Sequence, residues 1–249
     1  MRTLEKLRLG LVVPSMLLLA AMSLVVEAAD KANSELKLGS LPVGKVLYLG
    51  NSITLHSPAP QIGWTGNWGM AATTKEKDYV HLVTADIAKA VGATPEIMVR
   101  NIADFERGHA DYDLEKELKA ELDFQADVVI VAIGENVPEL STDEAREKYA
   151  AAFAKLLSTL KKHGHPVLFV RSCFWANAAK DEIMRKCSTE GGTEFVDIGK
   201  LGADPANAAR SERKIDHDGV AGHPGDKGMR AIADALVVAI KRRGDAKTQ

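Results

Sequence analysis

The sequence predicts a three-layer α/β domain with a central parallel sheet. Short apolar runs rich in Val and Ile alternate along the chain with segments of helical period. Near-continuous apolar strands are expected where helices cover both faces of a parallel sheet. With 249 residues, 46% apolar and 27% charged, the chain is long enough for one sizeable core.

The elements follow in order. Strand candidates are 45–49 (KVLYL), 95–100 (PEIMVR), 127–133 (DVVIVAI), 166–170 (PVLFV) and 194–198 (EFVDI). Between the first two, Val80, Val83, Ile87 and Val91 share one face at steps of three and four. Tyr149, Phe153, Leu156 and Leu160 repeat that spacing, after Ser141 and Glu144 placed as a capping box. Met229, Ile232, Leu236 and Ile240 give the last helix its apolar face. Alternating strand and helix is the pattern of layered α/β architecture.

The N-terminus differs from the rest. Arg2, Lys6 and Arg8 precede an apolar stretch from Leu9 to Val26, which ends at Glu27, Ala28 and Ala29. This reads as a secretory signal peptide over 1–28 cut after Ala28, with Val26 and Ala28 as the small residues; an uncleaved membrane anchor is the alternative. Residues 29–42 then form a leader and 43–243 the domain. The expected location is secreted or periplasmic, with no stable membrane association after cleavage. Export makes a disulfide between Cys173 and Cys187, the chain's two cysteines, possible; two separate buried thiols fit as well. The formal charge of -2 is mixed along the chain, with no basic face for nucleic acid. Nothing in the sequence sets an oligomeric state.

In open α/β sheets, ligands bind outside the carboxyl ends of the strands. The first strand runs into Gly50-Asn51-Ser52 and the third into Gly134-Glu135-Asn136, while DHDGVAGHPGDKGM, with His217 and His223, precedes the last helix. A hydroxyl, a carboxamide and an imidazole thus lie on loops at one edge. Serine hydrolysis needs those groups: a nucleophile, a base and donors to an oxyanion. Each has a plainer role alone: Ser52 as a helix cap, Asn136 as a turn residue, His223 as a loop histidine.

Together these stretches resemble the SGNH/GDSL hydrolase family over about residues 43 to 242. GNSIT looks like the family's first block, usually Gly-Asp-Ser with Gly-Asn-Ser a frequent variant; GEN resembles Gly-x-Asn-Asp, and HPGDKGM the end of the fifth block. The resemblance implies a flavodoxin-like sandwich and ester hydrolysis without a cofactor or metal. Ser52 would be the nucleophile, His223 the base, and Asn136 and the Ser52 N–H oxyanion donors. Gly108, in NIADFERGH, is the candidate for the family's glycine donor. Val137 follows Asn136 where the family usually has Asp. The family's Asp three residues before the His is here Val220; Asp218 takes its place if residues 221 and 222 are an insertion, and otherwise a Ser–His dyad is held by backbone carbonyls.

All three tryptophans fall in loops at that edge: Trp64 and Trp68 after the first strand and Trp175 after the fourth. They are expected either to stack on sugar rings or to plug a long loop onto the body. The resemblance includes many carbohydrate deacetylases, and no aliphatic run suggests a lipase lid. The expected partner is therefore an acylated small molecule or polysaccharide, with acetyl the first choice of acyl group. Two rivals remain: a catalytically degenerate polysaccharide-binding module, motivated by Val220, and a metal hydrolase using Asp216, His217, Asp218 and His223, whose spacing matches no known metal motif. Neither G-x-G-x-x-G nor a Walker pattern follows a strand, which argues against nucleotide binding.

Overall fold

The structure, a computed structural model, describes residues 36–246. The signal peptide or anchor expected over 1–28 lies outside the described residues. Among the described residues no helix is long and apolar enough to cross a membrane.

A small antiparallel hairpin, β1 (Lys37–Leu38) and β2 (Leu41–Pro42), precedes the main sheet. Five parallel strands follow: β3 (Lys45–Gly50), β4 (Glu96–Asn101), β5 (Val128–Ala132), β6 (Val167–Arg171) and β7 (Glu194–Val196). Their order, β4-β3-β5-β6-β7, is that of a flavodoxin-like sheet. All five expected strands form, each within a few residues of its expected bounds.

Side chains alternate across the pleat and divide the core in two. Val46, Tyr48, Ile130 and Phe169 face helices α1 (Tyr79–Val91) and α8 (Asp226–Asp245), which bring Val80, Val83, Ile232 and Leu236. Leu47, Leu49, Val129 and Val131 face the opposite layer. That layer holds three short helices, α2 (Ala103–Gly108), α3 (Leu114–Glu117) and α4 (Lys119–Asp123). It also holds two long ones, α5 (Asp143–Lys162) and α6 (Ala178–Glu190). The single turn α7 (Asp218–Gly222) lies at the sheet's carboxyl edge, before α8. Truncating a fully buried core residue such as Phe153 or Leu236 to Ala would cost about 2–5 kcal/mol.

The structure bears on three further readings. Thr142, not Ser141, caps α5, its side chain accepting from the Ala145 N–H at 3.2 Å. Cys173 and Cys187 are separate buried thiols; Cys187 Sγ lies 3.6 Å from the Ala150 carbonyl oxygen, and no disulfide forms. Residues 36–42, the end of the expected leader, pack against the domain. Leu41 is buried, Val43 N donates to Leu36 O at 2.9 Å, and Ser40 N donates to Gly244 O at 2.8 Å near the end of α8.

That docking depends on two facing glycines. Gly39 has φ +61°, and a Cβ there would fall 2.3 Å from the Gly244 carbonyl oxygen. Gly39→Ala should therefore destabilise the fold by more than about 1 kcal/mol, read as a lower urea midpoint with an unchanged m value. An unchanged midpoint would mean that the hairpin contributes nothing to the domain.

Candidate active site

Level strand ends bring the candidate residues together. Gly50 is in register with Asn101 on one side and Ala132 on the other. The loops after β3, β4 and β5 therefore leave the sheet side by side, at the point where the strand order reverses. The turn after β3 is tight: a Cβ on Gly50 would lie 1.8 Å from Thr54 Oγ1. The Asn51 carbonyl accepts the N–H groups of Thr54 and Leu55, both at 2.9 Å, and Asn51 Oδ1 accepts the Ile53 N–H at 3.2 Å. No helix begins at Ser52, so its hydroxyl caps nothing.

Ser52 Oγ instead lies 2.8 Å from His223 Nε2. His223 Nδ1 is 2.6 Å from the Gly219 carbonyl oxygen in α7. A carbonyl only accepts, so Nδ1 carries the proton and Nε2 is left as the acceptor for the serine. Burial pushes the imidazole below the usual histidine range, although the Gly219 carbonyl and the Glu135 charge work the other way. Neutral imidazole is thus the favoured form.

Asp218 does not occupy the orienting position. Its side chain is 98% exposed and lies 3.9 Å from Arg210 Nη1. In the one-turn helix the acceptor facing the imidazole is a backbone oxygen, because Gly219 lies one turn before His223. Asp216 is also at the surface, 3.7 Å from Lys214. Among the described residues no group of three or more His, Cys, Asp or Glu side chains could hold a metal ion.

Asn136 follows Gly134, whose φ of +126° and closeness to Cys173 (a Cβ would sit 2.5 Å from Sγ) suit only glycine. One N–H of the Asn136 carboxamide donates to Glu106 Oε2 at 2.7 Å, and Arg107 Nη2 donates to its Oδ1 at 3.3 Å. The second amide N–H and the Ser52 backbone N–H have no partner among the described residues. Gly108 ends α2 and does not line the site; Ala103 does, but its N–H is taken by Asn101 Oδ1 at 2.9 Å.

Beneath the serine turn lies a charged network that sequence reasoning missed. Buried Glu135 accepts from Arg171 Nη1 at 2.6 Å, Asn51 Nδ2 at 2.6 Å and Phe174 N at 2.8 Å. Burial acts to raise its pKa, but the Arg171 guanidinium and these donors outweigh it and hold Glu135 below the usual carboxylate range. Glu106, fully buried in α2, has no such cation; burial first, then the Glu135 charge, push its pKa up. The one signal available was Arg171, a charge ending an otherwise apolar strand.

The hydroxyl–imidazole pair opens into a cavity of about 510 Å³ lined by polar His56, Asn101, Arg107, Asn136 and His217, with Ile62, Met70 and Val220 as its larger apolar residues. A second cavity of about 720 Å³, bordered by Trp64 and Trp68, shares Ile62, His217 and Val220 with it. These two rings meet edge to face at 5.6 Å, and their N–H groups are taken by the carbonyls of His56 and Ala72, both at 3.0 Å. They fasten the 56–72 loop while bordering the cleft. Trp175 is 40% exposed and stands 5.3 Å from the His223 ring.

The GDSL-like lipase/acylhydrolase family model matches residues 48–231. The chain belongs to that family. It is a carboxylic ester hydrolase of the SGNH/GDSL type. Solved structures share its fold. One described as a GDSL-like lipase from Parabacteroides merdae is 19% identical with a TM-score of 0.55, the alignment covering 82% of this chain and 98% of that one. Another, described as a GDSL-like lipase from Bacteroides ovatus, is 13% identical with a TM-score of 0.53, over 80% and 99% of the two chains. An acetyl xylan esterase is 20% identical with a TM-score of 0.50, over 78% and 98%. No curated protein matches the chain.

The placement of Asp218 is directly testable. By NMR titration, His223 should ionise below 6.5, and Asp218→Asn should leave that midpoint where it is. A fall in the midpoint on removing the Asp218 charge would place the carboxylate against the ring after all.

Proposed function

We propose that this GDSL-family hydrolase removes short acyl groups, acetyl above all, from carbohydrate esters by a Ser52–His223 dyad. The observation that carries the reading is the 2.8 Å pair with its tautomer fixed by the Gly219 carbonyl. His223 Nε2 takes the proton as Ser52 Oγ attacks the ester carbonyl. The free N–H of Asn136 and the Ser52 N–H receive the developing oxyanion, each such donor being worth about 3–4 kcal/mol. The imidazolium formed in this step is stabilised by the Gly219 carbonyl dipole and the nearby negative charge of Glu135. His223 then protonates the leaving alcohol, and water attacks the acyl-enzyme by the same route.

The cavity lining supports this substrate class. A polar wall of His, Asn and Arg side chains suits sugar hydroxyls, and its few apolar residues leave little to grip a long acyl chain. The cleft continues past Trp64 and Trp68, and Trp175 offers an exposed ring beside the base, which fits a polymer better than a small ester. Resemblance in fold to an acetyl xylan esterase agrees with this reading. Basic residues, an apolar stretch and small residues at 26 and 28 support export to the periplasm or medium.

Ser52→Ala should abolish p-nitrophenyl acetate hydrolysis, and the wild type should prefer acetate to octanoate in kcat/KM. Preference for octanoate would sink the carbohydrate reading and point to lipid. The acid limb of kcat/KM against pH should have its midpoint below 6.5, activity being lost as pH falls through the depressed His223 pKa. An acid limb centred above 6.5 would show that His223 is not the base.

A further inference from the structure

We infer that Glu106 and Lys180 are positioning residues that hold the Gly134–Val137 turn from opposite sides, so that the Asn136 amide faces the reaction cavity. This rests on the reading of Asn136 as an oxyanion donor.

The turn's N–H groups and carbonyls are taken by opposite charges. Glu106 Oε1 accepts from Gly134 N at 2.6 Å, Asn136 N at 3.1 Å and Asn51 Nδ2 at 3.2 Å, while Oε2 accepts from Asn136 Nδ2 at 2.7 Å. Four N–H groups converge on its two oxygens, three on Oε1 and one on Oε2, so the carboxyl acts here as the shared acceptor of the turn. Lys180, buried in the first turn of α6, donates from Nζ to the Gly134 carbonyl at 3.2 Å and to that of Val137. Neither charge touches the other, and neither lines the cavity of Ser52. A lone carboxylate and a lone ammonium are costly to bury. Here each is solvated almost entirely by one four-residue turn.

The consequence for catalysis is orientational. A carboxamide can present either its N–H or its oxygen to the cavity. Glu106 on Nδ2 and Arg107 on Oδ1 fix which end is which. Glu106→Gln would set a second NH2 group against these donors and favour the flipped amide, which turns an oxygen toward the oxyanion. Lys180→Met would free two carbonyls and loosen the same turn.

The test is a pair of double-mutant cycles on p-nitrophenyl acetate, with circular dichroism and Tm for each variant. Asn136→Ala should lower kcat by about a hundredfold or more. Glu106→Gln and Lys180→Met should each lower kcat by roughly ten- to a hundredfold with KM little changed, as misplacement of a reacting group does. In the Asn136→Ala background both should cost less than about threefold, since the donor they aim is gone. Equal fold losses in both backgrounds, or no loss in wild type while Asn136→Ala is crippled, would overturn the positioning role. No loss for Asn136→Ala itself would overturn the oxyanion reading instead. If one variant fails to fold, the other carries its cycle; if both unfold, the charges are folding elements and the inference is wrong.

Discussion

Two buried carboxylates, Glu106 and Glu135, meet at one carboxamide, Asn51, directly under the serine turn. Ionised groups removed from water each cost several kcal/mol unless fully paired and hydrogen-bonded, so every donor around them is constrained. Arg171 answers Glu135, and Lys180 balances Glu106 at a distance through the turn they share. An aspartate at position 51 would add a third carboxylate and remove the N–H groups that join the other two. Asparagine in Gly-Asn-Ser is thus a requirement of this network, and the serine turn inherits its rigidity.

The same network explains the uneven reach of sequence reasoning. Strands buried on both faces announce themselves as runs of Val and Ile, so all five parallel strands were legible, as were α1, α5 and α8 from their apolar faces, though α6 was not. So were Ser52, Asn136 and His223, because parallel topology sends the loops after β3 and β5 and the segment before α8 to one edge. Glu106 was not legible. A charged residue in a short helix reads as surface, and its burial is decided by N–H groups from segments distant in sequence. Lys180 was hidden in the same way, at the start of a helix whose exposed face is rich in charge. Gly108 misled because the residue at the cavity wall is Ala103, five positions earlier, with its N–H already in use.

Asp218 failed for a more local reason. Spacing in sequence places a carboxylate near His223, but residues 218–222 close into one helical turn. In that turn the Gly219 carbonyl points along the helix toward the imidazole while the Asp218 side chain leaves it for solvent. A carbonyl oxygen fixes the histidine tautomer as well as a carboxylate does, because both only accept. What it lacks is a full charge to stabilise the imidazolium. Here burial, by lowering the basicity of His223, works against proton uptake, and the charge of Glu135 compensates in part.

The carbonyl therefore makes the proposed dyad depend on the rest of the network. In a Ser-His-Asp arrangement the acid beside the imidazole supplies both orientation and charge. In this protein orientation comes from Gly219 and a counter-charge from Glu135, two groups on different segments that are fixed independently. Glu135 is itself held by Arg171 and by Asn51, the residue before the nucleophile. Its position relative to His223 thus follows the position of Ser52. The proposed base, the proposed nucleophile and the Glu135 charge are kept in one frame by hydrogen bonds running beneath the serine.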